Sequence, residues 1–242
     1  MVKISERMNK ISESPTLATS AKVNVMKAQG KDILNLTVGE PDFGTHASIL
    51  NAAVEAIQSN KANHYTPTAG ILPLRQAIVD YHQKYDGVTY AVNQVIVTEG
   101  AKNALFALFQ VILNPGDEVI VPAPYWVSYT EQIKLAGGVN VLVETAPEKG
   151  FKLTVEDLEK HRTEKTVALL LNSPSNPTGM IYTPEELKAI GEWAVEHDVL
   201  IIADEIYYRL TYNGNNAISI ASLSEEIKNQ TIIINGISKT YA

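Results

Sequence analysis

The 242-residue sequence predicts an α/β fold: a mostly parallel sheet with helices on both faces. Three observations predict it. Strand-length apolar runs alternate with helix-period segments through most of the chain. Most of those runs are continuously apolar, as strands covered on both faces must be. Helix start and stop signals fall between them. Such strand–helix alternation specifies parallel strands joined by crossover helices.

The first 44 residues stand apart. They are polar, then reach "ILNLTVGEPDFG", where a short strand and a Gly/Pro turn are expected. Residues 1–44 are therefore taken as an arm, and 45–242 as the main domain. The expected strands are 94–98 (QVIVT), 117–122 (DEVIVP), 140–144 (NVLVE), 166–171 (TVALLL), 199–204 (VLIIAD) and 231–235 (TIIIN). A helix is expected over 101–113, with Ala104, Leu105, Leu108, Val111 and Ile112 on one face and "NPGD" as its stop. A second, over 183–198, has Thr183 as N-cap, Pro184 at its first position and Glu185 and Glu186 in its first turn.

Bulk properties narrow the function. With 45% hydrophobic and 19% charged residues, the composition is that of a soluble globular protein. A net charge of −7 without Lys/Arg clusters argues against nucleic acid as a partner. The absence of cysteine excludes disulfides and thiolate metal sites. The start "MVKISERMNK" lacks the apolar core of a signal peptide, and no apolar run approaches a membrane span, so a cytoplasmic protein is expected.

In parallel sheets ligands sit beyond the strands' carboxyl ends, so the residues following each run matter most. After "QVIVT" comes "EGAKNAL". Gly100 lets backbone approach an anion, and the free N–H groups of Ala101 and Lys102 could bind phosphate; an ordinary tight turn is the alternative. After "DEVIVP" come Tyr125 and Trp126, able to stack on a flat ring or to be packed in the core. "NSPSNPTG" holds out the amide of Asn176 unless it is a plain loop.

Asp204 closes a run too apolar to lie at the surface, so a cationic partner is expected for its carboxylate. That partner could be an internal salt bridge or a ligand. Tyr207 would share its region if the next residues were helical. Lys239, at the end of the last run, could form an imine with a carbonyl compound or be a solvated surface lysine. Each signal is weak alone. In this order they are what a pyridoxal-phosphate site needs, with Asp204 keeping the pyridine nitrogen protonated and Asn176 and Tyr207 donating to the phenolic oxygen.

The sequence resembles the fold-type I aminotransferases, most of all the bacterial aspartate/aromatic branch. The likeness rests on "NLTVGEPDF", "HYTPTAGILPLRQAI", "TEGAKNALF", "PGDEVIVPAPYWVSY", "NSPSNPTG", "ADEIY" and "SKTYA". It implies pyridoxal 5'-phosphate as cofactor and transamination between an amino acid, aspartate or an aromatic one, and a 2-oxo acid. It further implies that Lys239 condenses with the cofactor and carries the proton, that Asp204 pairs with the ring nitrogen, and that Asn176 and Tyr207 bind the phenolic oxygen. Trp126 would cover the ring, and Gly100, Ala101, Lys102 and Ser238 would hold the phosphate. Tyr65 would reach the phosphate of a neighbouring subunit in a homodimer. Gly39 would lie against the substrate α-carboxylate, making 1–44 a substrate-side segment; Trp126 and Asn176 would also face substrate.

The resemblance also implies a strand after the lysine, inside the sheet, and a small domain with the arginine that clamps substrate. Neither follows Ala242, so an incomplete large domain with doubtful activity of its own is expected. Two other readings share the motifs or the scaffold. Another reaction on the same cofactor, such as β-elimination or decarboxylation, uses every contact named. A regulator's effector module would need a basic DNA-binding segment, for which about forty polar residues before "VGEPDF" leave little room.

Overall fold

A computed structural model describes residues 3–37, 39–61 and 63–242. Three helices come first: α1 (Pro15–Ala28), α2 (Ala47–Gln58) and α3 (Leu72–Asp86). They are followed by α4 (Gly100–Ile112), β1 (Glu118–Ala123), α5 (Ser128–Leu135), β2 (Val139–Glu144), α6 (Val155–His161) and β3 (Thr166–Asn172). The chain then forms α7 (Pro184–Glu196), β4 (Leu200–Asp204), α8 (Glu225–Asn229) and β5 (Thr231–Ile234). The strands form one sheet in the order β2-β1-β3-β4-β5, every pair parallel.

The continuous apolar runs behave as double-sided strands. Along β3, Ala168 and Leu170 enter one core while Leu169 and Leu171 enter the other. β1 divides likewise, with Val119 and Val121 against Ile120. The first core is closed by Leu105 and Phe109 of α4 and Tyr129 and Ile133 of α5. The second is closed by Leu158 of α6, Leu187, Ile190 and Trp193 of α7, and Ile227 of α8. Helices thus lie on both faces, as expected. α7 starts as its sequence predicts: the Thr183 hydroxyl accepts from the Glu186 N–H, and the Glu186 carboxylate accepts from the Thr183 N–H.

Three expectations need correction. The stretch 94–98 is no strand. Val95 has extended dihedrals (φ −110°, ψ 129°), but the Val97 N–H donates to the Ala69 carbonyl and Ile96 is exposed. Apolar β-branched residues favour extended backbone, but a strand also needs a ladder partner, and the sheet ends at β5. Nor is there a strand in the described part of 33–44; Leu34 and Leu36 are exposed, and Val38 lies outside the described residues. On α4, Phe109 takes the core position and Val111 is 82% exposed. Six residues on from Leu105, Val111 stands about 120° round the helix from it. Among the described residues no helix is long and apolar enough to cross a membrane.

Candidate active site at the carboxyl edge of the sheet

Because the strands are parallel, their carboxyl ends share one edge, and the exits of β1, β3, β4 and β5 lead to the residues of interest. β4 delivers Asp204, which is buried. One carboxylate oxygen accepts from the Tyr129 hydroxyl at 2.5 Å and the other from the Ile206 N–H at 3.2 Å. Burial pushes the Asp204 carboxyl above its ordinary pKa, and these two donors pull it part of the way back. The expected protein cation is missing: among the described residues no Lys, Arg or His forms an ion pair with it. The internal salt-bridge alternative therefore fails, leaving a buried carboxylate with neutral donors only.

Tyr129 was not singled out in the sequence. Burial, and then the Asp204 charge, hold its phenol well above the ordinary range, so it stays a donor. Its ring also meets Trp126 edge-on, with centroids 5.2 Å apart. The only signal available was its place three residues after Trp126, which puts both rings over one turn of chain. Trp126 and Tyr125 pack against the core cluster of that face, and the Lys102 Nζ lies 5.0 Å from a Trp126 ring centroid.

β3 delivers a second missed residue, Asn172. Its side-chain amide donates to the Asp204 carbonyl at 2.8 Å and accepts from the Asn176 N–H at 2.7 Å, so it fastens the β3 exit to the β4 exit. Asn176 in turn donates to the Tyr207 hydroxyl at 3.2 Å. Burial raises the Tyr207 pKa, Asn176 offsets part of this, and the Asp204 charge adds to it. The residues after Asp204 form turns rather than a helix, and Asn172 and Asn176 link the Asp204 carbonyl to the Tyr207 hydroxyl.

Beyond β5, Lys239 donates from Nζ to the Gly39 carbonyl at 2.9 Å and lies 5.9 Å from the Tyr207 ring centroid. Ser238 is exposed in the same turn. α4 begins at Gly100 with φ +80°, a left-handed conformation that only glycine adopts without strain. The N-cap residue Glu99 makes no side-chain cap bond, leaving the first-turn N–H groups of Ala101 and Lys102 at the helix's positive end. The structure thus groups Asp204, Asn176, Tyr207, Lys239 and Gly39, with Trp126 and Lys102 joined through Tyr129. Tyr65 is fully exposed and is not brought to them.

Comparison with known proteins finds a matching family and relatives along the whole chain. The family model "Aminotransferase class I and II" matches residues 31–242. An asparagine–oxo-acid transaminase of Streptococcus mutans is 51% identical over the whole chain, which spans 62% of that relative's length. An aspartate aminotransferase of Bacillus sp. YM-2 is 50% identical over 99% of the chain, which spans 61% of it. The solved structure of Thermus thermophilus aspartate aminotransferase with maleate superposes with a TM-score of 0.94 at 43% identity, covering all of this chain and 62% of that one.

Proposed function

The chain belongs to the aminotransferase class I and II family, and on that premise we propose that it carries the pyridoxal-phosphate site of a transaminase acting between an amino acid and a 2-oxo acid. The amino acid is aspartate or an aromatic one; aspartate has the support of the relatives' names. The observation that carries the cofactor reading is Asp204: a buried carboxylate, fastened by Tyr129 and Ile206, whose described neighbours include no paired cation. A protonated pyridine nitrogen has the charge and the donor to fit it.

Pyridoxal phosphate, when bound, supplies an electron sink for the bond electrons released at the amino acid's α-carbon. The protein's part is to bind, orient and move protons. Asp204 would hold a proton on the ring nitrogen. The Tyr207 hydroxyl and the Asn176 amide would donate to the phenolic oxygen, and Trp126 would cover the ring. The N–H groups at Gly100, Ala101 and Lys102, with the Ser238 hydroxyl, would bind the phosphate. The Lys239 amine would attach to the cofactor and carry the proton along the substrate. Gly39, whose carbonyl already accepts from Lys239, would meet the substrate α-carboxylate beside Asn176 and Trp126.

The division into a substrate-side arm, 1–44, and a cofactor-binding domain, 45–242, belongs to this reading, as do a homodimer and a cytoplasmic location. The exposure of Tyr65 supports a homodimer with shared sites. The test is the absorption spectrum of the protein mixed with pyridoxal phosphate. A visible band that shifts on adding aspartate and is lost in Lys239→Ala is expected. An unchanged spectrum in Lys239→Ala would remove the lysine from its role. Keto-acid-dependent nitrogen transfer, against pyruvate release from a β-substituted amino acid, then separates transamination from β-elimination.

A further inference from the structure

The segment leaving β4 has two sides. Tyr207 faces the site described above through Asn176, whereas Tyr208 and Arg209 turn towards the carboxyl end of α3. The Arg209 Nε donates to the Tyr81 hydroxyl at 2.7 Å. Its guanidinium carbon lies 5.3, 4.4 and 5.0 Å from the ring centroids of Tyr81, Tyr85 and Tyr208. One of its terminal nitrogens is 4.0 Å from the Oδ1 of Asp86, whose side chain is buried. The other Asp86 oxygen is held by the His82 Nδ1 at 2.7 Å. One guanidinium therefore joins the β4 exit to three residues of α3.

Tyr207, by contrast, is held weakly on the site side. Among the described residues its hydroxyl has one bond, from Asn176 at 3.2 Å, and its carbonyl accepts from the Leu210 N–H at 2.8 Å. Arg209 sits inside that last turn, so anchoring it restrains the Tyr207 backbone from the far side. Tyr81 extends the connection: the phenol of Tyr241, two residues after Lys239, is near enough to raise the Tyr81 pKa, behind the larger effects of burial and Arg209.

We propose that Arg209 is a positioning residue, a planar clamp against Tyr81, Tyr85 and Asp86 that holds Tyr207 where the cofactor's phenolic oxygen is to be met. The inference rests on the pyridoxal-phosphate reading and assigns no new contact to the cofactor. Arginine suits the role because a flat guanidinium can lie against several rings while donating in its own plane, which a lysine ammonium cannot do.

A double-mutant cycle on the intact chain tests it, with the pyridoxal phosphate Kd read from tryptophan fluorescence quenching. Arg209→Met and Tyr207→Phe are each expected to weaken binding about tenfold. The double variant should match Tyr207→Phe to within about twofold, because Arg209 acts through Tyr207. Arg209→Lys should rescue little, and Tyr81→Phe, which removes only the Nε acceptor, should weaken binding about threefold and replaces Arg209→Met if that variant does not fold. Independent, multiplicative losses, or an Arg209→Met Kd within twofold of the parent, overturn the clamp.

A cofactor-free readout separates this from failure of the functional reading. Amide hydrogen exchange at Tyr208 and Leu210 should quicken about tenfold in Arg209→Met without any ligand. Unchanged exchange overturns the clamp. A parent protein that binds no pyridoxal phosphate overturns the functional reading instead, and the exchange result then decides the clamp alone.

Discussion

Helices α2 and α7 are of nearly equal length, twelve and thirteen residues, and both carry apolar residues at helical spacing, yet they end in opposite situations. α7 buries Leu187, Ile190, Gly191, Trp193 and Ala194. α2 buries nothing, and Ile49, Leu50, Val54 and Ile57 stay exposed. The difference lies in what stands opposite. α7 covers a sheet face shared with α6 and α8, whereas no element of the described chain closes over the apolar side of α2. An apolar stripe makes a helix amphipathic, but only a facing layer turns the stripe into core. The same contrast runs through the site. Asp204, Tyr129, Asn172 and Asn176 come from sheet exits and are interlocked, while Tyr65 comes from the amino-terminal part and stands exposed.

The largest expected effect contrasts the two regions directly. Leu169→Ala, in the middle of β3, should lower unfolding free energy by about 2–5 kcal/mol, because a wholly buried side chain leaves a cavity. Ile57→Ala on α2 should stay within about 0.5 kcal/mol. Urea unfolding measures both. Equal losses would mean that the α2 face is covered in solution, and the comparison would break.

Next comes charge. Burial pushes Glu205 up to about 8; Asp86 and Asp204 push the same way, and Ser219 and the Ile220 N–H partly oppose them. Between pH 4.5, its ordinary value, and about 8 the unfolded chain is ionised there while the folded chain keeps its proton. The unfolded state then binds fewer protons, so stability falls as pH rises through this window, by at most about 1.4 kcal/mol per pH unit. Glu205→Gln should remove that slope. A slope that survives in the glutamine variant would assign it to another group.

The smallest effect concerns the helix caps. Thr183→Ala should cost about 1 kcal/mol, because α7 unfolds only with the core it covers. His46→Ala removes the acceptor for the Ser48 N–H at the start of α2 and should leave the global midpoint unchanged, quickening exchange within α2 alone. A global shift from His46→Ala would show that α2 is coupled to the sheet.

Much of the fold was legible because the relevant signals are local. Most of the five runs that became strands are continuously apolar, and the cap of α7 is spelled out by Thr183, Pro184 and Glu186. Residues 94–98 misled because their composition favours extended backbone while pairing depends on a distant partner. At the site, Asp204, Asn176, Tyr207 and Lys239 could be singled out because each follows an apolar run. Tyr129 and Asn172 could not. Tyr129 lies one residue inside α5 and touches Asp204 across 75 positions of sequence, and Asn172 resembles any residue at the end of a strand.

By itself the sequence determined the five strand runs of the sheet, helices α4 and α7, and which residue types stand at the strand exits. Periodicity, caps and turn chemistry act over a few neighbouring residues and are written in order along the chain. Only the tertiary structure decided that Asp204 is answered by a phenol and a backbone N–H rather than a cation, that Glu205 faces the other way, and that Arg209 lies among three rings. Those outcomes depend on burial and on partners from distant elements, which exist only once the helices have closed over the sheet.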